Sequence, residues 1–179
     1  MTPFLPVTFE VVGAEQLSDT QSKEILELCS AAYEESFGYY LEALPTPVHI
    51  LARQSGMLVS HAAWVTRWLQ VDEGEMLETA YVEAVATAPE YQGRGYASAV
   101  MRQLITQLER YDLAALSPSN VAFYQRLGWE AWRGTLAIRT EGGLVFTPGE
   151  EVMIYRLPRT PALDLNSRLT AEWRPVEVW

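Results

Sequence analysis

The chain has 179 residues, of which 49% are hydrophobic, and a formal charge of −10. That length fits one domain with enough chain for a full core, and the composition excludes a disordered polymer. The acidic balance argues against nucleic acid as a partner and favours cations. No apolar run approaches the ~20 residues that span a bilayer. Residues 1–10 lack the basic start and apolar run of a signal peptide. A single cysteine, Cys29, excludes an internal disulfide and a cysteine-based zinc site. A cytoplasmic, membrane-free protein is the simple expectation.

Val7 to Val12 alternates weakly and predicts a first strand. Ser18, Asp19 and Thr20 supply capping oxygens for a helix carrying Ile25, Leu26, Leu28, Cys29 and Ala32 at helical spacing. Cys29 falls on that apolar face, with no positive neighbour in sequence to form a thiolate, and reads as structural. Tyr33 to Tyr40 is aromatic and acidic and reads as a helix end and a loop, with Pro45 and Pro47 confirming a break. An antiparallel pair follows, Val48–Arg53 and Met57–Val71, around a turn at Gly56. His49 and His61 lie in these strands. No third ligand stands at a suitable spacing, so both read as structural and no metal is expected. Residues 72–75 form a polar turn, and Met76–Thr87 is the next strand.

The stretch from Val82 to Ala97 organises the rest. Its first part is small and β-branched, and Pro89 ends it. Ala97, Val100, Met101, Leu104, Ile105 and Leu108 then share one helical face. Between strand and helix lie Gln92, Gly93, Arg94 and Gly95. Glycines let backbone approach a ligand, and the outward amides of a helix start carry partial positive charge. The combination suits a phosphate. Gly93-x-Gly95-x-x-Ser98 partly matches a dinucleotide-binding turn, but there the first glycine follows the strand directly. Here Ala88 to Gln92 intervene. An ordinary turn with glycines for geometry alone is the bland reading.

Further on, Leu113–Leu116 is a short buried strand. Ser119 reads as the N-cap of a helix over Asn120–Leu127 that ends at Gly128. Trp129–Arg139 and Val152–Leu157 read as the last two strands, with a turn at residues 141–143 between them. Residues 160–179 carry Leu163, Leu165, Leu169, Trp173, Val176 and Trp179. That is too apolar for a free tail, so the segment should pack back on the domain.

Two motifs together carry a resemblance. Gln92-Gly93-Arg94-Gly95-Tyr96-Ala97 matches the pyrophosphate loop of the GNAT N-acetyltransferases, and Asn120 to Trp129 resembles their second motif. Tyr81 to Ala86, Leu116-Ser117, Tyr124 to Trp129 and the ending Glu172 to Trp179 are similar to the aminoglycoside 2′-N-acetyltransferases. The resemblance implies an α+β fold in one domain over residues 1–179. Its central mixed sheet would be splayed at the cofactor and flanked by helices, with residues 160–179 on the acceptor side. Acetyl-CoA would lie in the opening between the strand ending at Thr87 and the strand at Leu113–Leu116. Backbone of Val85, Ala86 and Thr87 would meet its pantetheine arm, amides of Gln92, Gly93, Arg94, Gly95, Tyr96 and Ala97 its pyrophosphate, and Asn120 would sit near the arm.

An amine attacking a thioester needs close placement, a route for its proton and an acid for the leaving thiolate. The resemblance assigns the acid to Tyr124, and Glu83 to amine binding and proton removal through water. A polycationic acceptor needs several carboxylates. Candidates are Glu35, Glu83, Glu150, Glu151, Glu177 and the terminal carboxylate of Trp179, with hydrogen bonds from Ser117 and the backbone of Ala84. Ala84 stands where the family has glycine, and the early acidic loop departs from the family pattern; both departures bear on the acceptor. A polyamine, an amino acid or a peptide N-terminus is the alternative acceptor, lined by Tyr39, Tyr40 and Trp68. A non-catalytic acyl-CoA-binding module is the alternative of another class. Family members are often homodimers.

Overall fold

Strands rich in β-branched residues and two amphipathic helices build the first of two compact units into which the chain divides. The computed structural model describes residues 6–179. The first unit takes the chain up to Val65 together with Val82–Gln107, and the second takes Thr66–Tyr81 and Leu108–Trp179.

In the first unit, β1 (Val7–Gly13) pairs antiparallel with β2 (Val48–Gln54), and β2 pairs with the opening half of β3 (Met57–Val71). The closing half of β4 (Met76–Thr87) lies beside β3. Helix α1 (Asp19–Tyr33) starts at a reciprocal cap: Ser18 Oγ accepts from Gln21 N at 3.2 Å, and Gln21 Oε1 accepts from Ser18 N at 3.0 Å. Such a cap contributes about 1 kcal/mol. Ile25, Leu28 and Cys29 of α1 pack with Val12, Phe37, Leu51, Ala84 and Ala86. Each fully buried aliphatic side chain of this kind contributes roughly 1.5–3 kcal/mol. Helix α3 (Tyr96–Ile105) packs on β2 and buries Val100, Met101 and Leu104, as their spacing predicts.

The expected loop over Tyr33–Tyr40 is in part a helix. Glu34 closes α1 in the left-handed region (φ 57°), and the six-residue α2 (Gly38–Ala43) follows. Tyr33 stacks on Phe37, and Phe37 meets Tyr40 at a tilt, with ring centroids 4.6 and 5.0 Å apart. The aromatic contacts, rather than helix propensity, order this segment.

In the second unit the end of the β3–β4 hairpin is extended on both sides. Beyond β4 come β5 (Leu113–Leu116), β9 (Met153–Arg156) and β6 (Glu130–Ala131); beyond β3 come β10 (Leu169–Glu172), β7 (Leu136–Thr140) and β8 (Gly143–Phe146). β5 runs parallel to β4 over Thr79–Tyr81 and antiparallel to β9. Helix α4 (Val121–Arg126) precedes β6. Its N-cap is Asn120, whose Oδ1 accepts from Phe123 N at 3.0 Å, and not Ser119 as the sequence suggests.

Two further expectations change. The strand read over Trp129–Arg139 breaks into β6 and β7. At the break Arg133 N and Gly134 N both donate to Leu165 O at 2.8 Å, and Trp132 Nε1 donates to Ser167 O at 2.8 Å. Val152–Leu157 is not the final strand. The apolar ending does pack back, as β10, antiparallel to β3 and parallel to β7. Leu165, Leu169 and Trp179 are buried, whereas Trp173 is 60% exposed.

Candidate active site

The last six residues of β4 set the geometry in the first unit. Ala84 sits within the strand at φ 50°, a left-handed conformation that strains an alanine. The distortion is held by side chains on three sides. His61 Nδ1 donates to Ala84 O at 2.9 Å, Tyr33 OH donates to Val85 O at 2.9 Å, and Ser60 Oγ donates to Ala86 O at 2.9 Å. Tyr40 OH of α2 donates to Glu83 Oε2 in a short hydrogen bond. Glu83 is 6% exposed, so its carboxyl group is buried and held rather than solvated.

Within the stretch Val85–Thr87, Val85 O accepts from Tyr33 OH at 2.9 Å and Thr87 O accepts from Gln92 Nε2 at 3.1 Å. Ser60 and Thr87 share a hydroxyl contact at 2.8 Å, which fixes the end of the strand.

The loop then turns through Pro89–Tyr91. Gln92, Gly93, Arg94 and Gly95 are exposed, while Tyr96 is buried edge-on to Tyr91 at 5.7 Å. The Arg94 guanidinium lies 5.4 Å over the Tyr91 ring. Gly93 and Gly95 hold φ of 72° and 85°, and Gly95 is the N-cap of α3 without any side-chain cap. A Cβ added at either glycine would meet no atom within 4 Å. The glycines are therefore demanded by backbone conformation and leave open space above the loop. The first amides of α3, at Tyr96 and Ala97, have no carbonyl of their own helix behind them. This cradle suits a diphosphate, and its fit to acetyl-CoA rests on these glycines and amides.

In the second unit, α4 presents Tyr124, 5% exposed, with its ring against Phe123 and Trp129 at 4.9 and 6.0 Å. Burial pushes its phenol up to about 12, so it stays protonated across the neutral range. Asn120, expected beside a cofactor arm, has its Oδ1 occupied by the cap of α4, leaving its amide NH2 for a ligand. Ser117 is exposed. Trp179 is buried, and its Nε1 donates to Thr147 Oγ1 at 2.8 Å, which ties the ending to the turn before Glu150 and Glu151. Arg67 fixes the same ending by donating to Val178 O at 2.6 Å and Glu172 O at 3.0 Å. Glu35, Glu150, Glu151 and Glu177 are all exposed. The structure gathers Glu83, Ala84 and the loop residues in the first unit, and Trp179 with the 147–151 turn in the second.

Tyr33, Ser60 and Arg67 escape sequence reasoning. Tyr33, Phe37 and Tyr40 do stand at helical spacing, but Gly38 disguises it. The histidines are buried as expected, yet they are joined: His49 Nδ1 lies 2.9 Å from His61 Nε2. Burial and mutual repulsion lower His61 to about 3, and burial lowers His49 to about 4. Among the described residues no group of three ligating side chains could hold a metal, and no helix is long and apolar enough to cross a membrane. Cys29 is buried, 3.8 Å from His61 Nδ1, and burial pushes its thiol up to about 12, so it is no nucleophile.

The neutral pair makes acid a denaturant. The unfolded chain takes up protons on both histidines as pH falls through about 6.5, while the folded chain resists until about 4 and about 3. Their contribution is complete above pH 6.5 and is lost as pH falls below it, at about 1.4 kcal/mol per pH unit for each ring. The urea midpoint should fall clearly between pH 7 and pH 5. An unchanged midpoint over that interval contradicts the buried neutral pair.

The first unit thus holds a β4 strand distorted next to a buried carboxylate, ahead of a glycine turn into a helix. The family model described as an acetyltransferase (GNAT) domain matches residues 14–132. An aminoglycoside 2′-N-acetyltransferase of Mycolicibacterium fortuitum is 36% identical over 140 residues, covering 74% of this chain and 71% of that protein. Among solved structures, the GNAT family N-acetyltransferase YhbS of Escherichia coli, in complex with CoA, is similar with TM-score 0.67 at 18% identity, covering 97% of this chain and 93% of that one. Eis1 of Mycobacterium abscessus gives TM-score 0.59 at 21% identity over 73% of this chain, which spans only 32% of that longer protein. The chain belongs to the GNAT acetyltransferase family, whose members are acetyl-CoA-dependent N-acetyltransferases.

Proposed function

We propose that the protein acetylates an amine of a cationic aminosugar, the 2′-amine of an aminoglycoside, with acetyl-CoA as donor. The observation that carries the reading is Glu83: a carboxylate buried on β4, positioned by Tyr40 and flanked by the strained Ala84. A buried acid draws a cationic amine and accepts its proton, directly or through water. The similarity to the M. fortuitum enzyme supports the acceptor.

Acetyl-CoA supplies an activated acyl carbon, so no covalent enzyme intermediate is needed. The acceptor nitrogen bonds to that carbon as the carbon–sulfur bond breaks. Glu83 takes up the proton that nitrogen releases, and the thiolate takes one from Tyr124 OH, which solvent restores. The Gln92–Ala97 turn holds the diphosphate. Glu35, Glu150, Glu151, Glu177 and the terminal carboxylate of Trp179 are the carboxylates offered to the remaining ammonium groups on this reading, with Ser117 as a hydrogen-bonding hydroxyl.

Thiol release is the test, with gentamicin, tobramycin, a polyamine and a peptide N-terminus as acceptors. Turnover should be confined to compounds with a 2′-amine. Intact CoA binding with turnover only of a polyamine or peptide supports the other acceptor class, for which the 73% exposed Tyr39 speaks; CoA binding with no turnover at all supports a non-catalytic module. Tyr124→Phe should lower kcat about 10- to 100-fold while CoA affinity stays put. Full activity in that variant removes the acid role.

A further inference from the structure

A cavity of about 490 Å³ opens in the first unit between the turn at residues 14–17, α1, α2 and the start of β2. Leu17, Ile25, Leu26, Leu41 and Leu44 give it an apolar wall, and His49 lines it as well. Its volume lies within the range of sites that enclose small molecules, and a mostly apolar wall with few polar groups is their usual lining. None of the residues assigned above to acetyl-CoA or the acceptor lines it.

His49 gives the cavity a chemical preference. The ring is 4% exposed, and its Nδ1 is directed at His61 Nε2. The protons on this pair follow from one carbonyl. Ala84 O can only accept, so His61 Nδ1, 2.9 Å away, carries the hydrogen. A neutral His61 then offers a bare Nε2, to which His49 Nδ1 must donate. That leaves His49 Nε2 as a lone pair, and no hydrogen bond reaches it from the described residues. Lys23 and Glu42 also line the cavity, one of each sign, so the wall does not select a charged ligand.

We propose that this cavity is a second binding site, for an uncharged apolar molecule bearing one hydroxyl, a phenol or a short alcohol, whose O–H donates to His49 Nε2. The site stands apart from the acetyl-transfer reading and survives its failure. The force is a hydrogen bond made against a mostly apolar wall, where water competes less, together with the alkyl part covering the leucines.

The test uses the full chain with 4-propylphenol and propylbenzene, nearly the same shape with and without the donor. Binding is followed by titration calorimetry and by the ¹⁵N shift of the His49 side chain. The phenol should bind at least tenfold more tightly than the hydrocarbon and move the Nε2 resonance. Leu41→Trp, which fills the cavity, should abolish both effects, and Leu26→Phe should weaken them if the tryptophan variant does not fold. Equal affinity for the two compounds, no binding of either, or phenol binding unchanged in the filled variants overturns the proposal.

Discussion

Glu83→Gln should lower kcat/KM for the acceptor by about 100-fold or more, while CoA binds as before. The change keeps shape and a hydrogen-bond acceptor for Tyr40 but removes the negative charge. An amide neither draws an ammonium group nor takes its proton. Two controls locate the effect. Tyr40→Phe keeps the charge and loses only the orienting phenol, so its loss should be smaller, about tenfold, and should fall mainly on kcat. Raising pH should partly restore Glu83→Gln, because more of the amine then arrives already deprotonated. Steady-state rates from pH 6 to 9 measure all three. A Glu83→Gln enzyme with wild-type rates and an unchanged pH profile contradicts the role.

The largest effect on stability should come from Gly134→Ala. A Cβ built on Gly134 would stand 1.7 Å from Ser167 O and 2.6 Å from Asn166 O. Both are backbone atoms, and the neighbouring hydrogen bonds from Arg133 and Gly134 to Leu165 hold the two segments together. Neither side can yield without breaking those bonds and the Trp132 contact to Ser167. The expected cost is about 3 kcal/mol or more, read as a lowered urea midpoint or as insoluble protein. Gly142→Ala is the comparison. Its Cβ would lie 3.7 Å from the Thr140 hydroxyl, and it should change stability by less than about 0.5 kcal/mol. Equal stability of the two variants would contradict the close crossing at Gly134.

The elements legible from residue pattern are those whose order is local. Met76–Thr87 and Leu113–Leu116 have the strand bounds their residue types predict, because polar turns or Pro89 close them. Ser18 caps α1 as its side-chain chemistry demands. What the pattern does not reveal is set by distant partners. Leu169–Glu172 is a strand because β3 and β7 leave it a place between them, and its own four residues do not insist on it. The four residues of β8 and the break at Gly134 depend on neighbours in the same way. α2 hides behind Gly38 and owes its order to aromatic contacts.

The site divides along the same line. Gly93 and Gly95 are legible because a turn of positive φ needs glycine whatever surrounds it. Glu83 is legible through family resemblance alone, since a lone glutamate in a strand usually points to water; its burial and its Tyr40 partner are tertiary facts. The strain at Ala84 is legible only as a departure from the family's glycine. The His49–His61–Ala84 chain of hydrogen bonds that supports it joins three strands and leaves no trace in spacing.

The central claim is direct acetyl transfer to one particular amine, and product identification tests it most directly. Two aminoglycosides that differ only in an amine or a hydroxyl at the 2′ position are incubated with acetyl-CoA and the protein, and the products are read by mass and by NMR. The amine should gain one acetyl group, on the 2′ nitrogen, and the hydroxyl compound should be recovered unchanged. Acetyl on any other nitrogen, or equal modification of both compounds, would contradict the account.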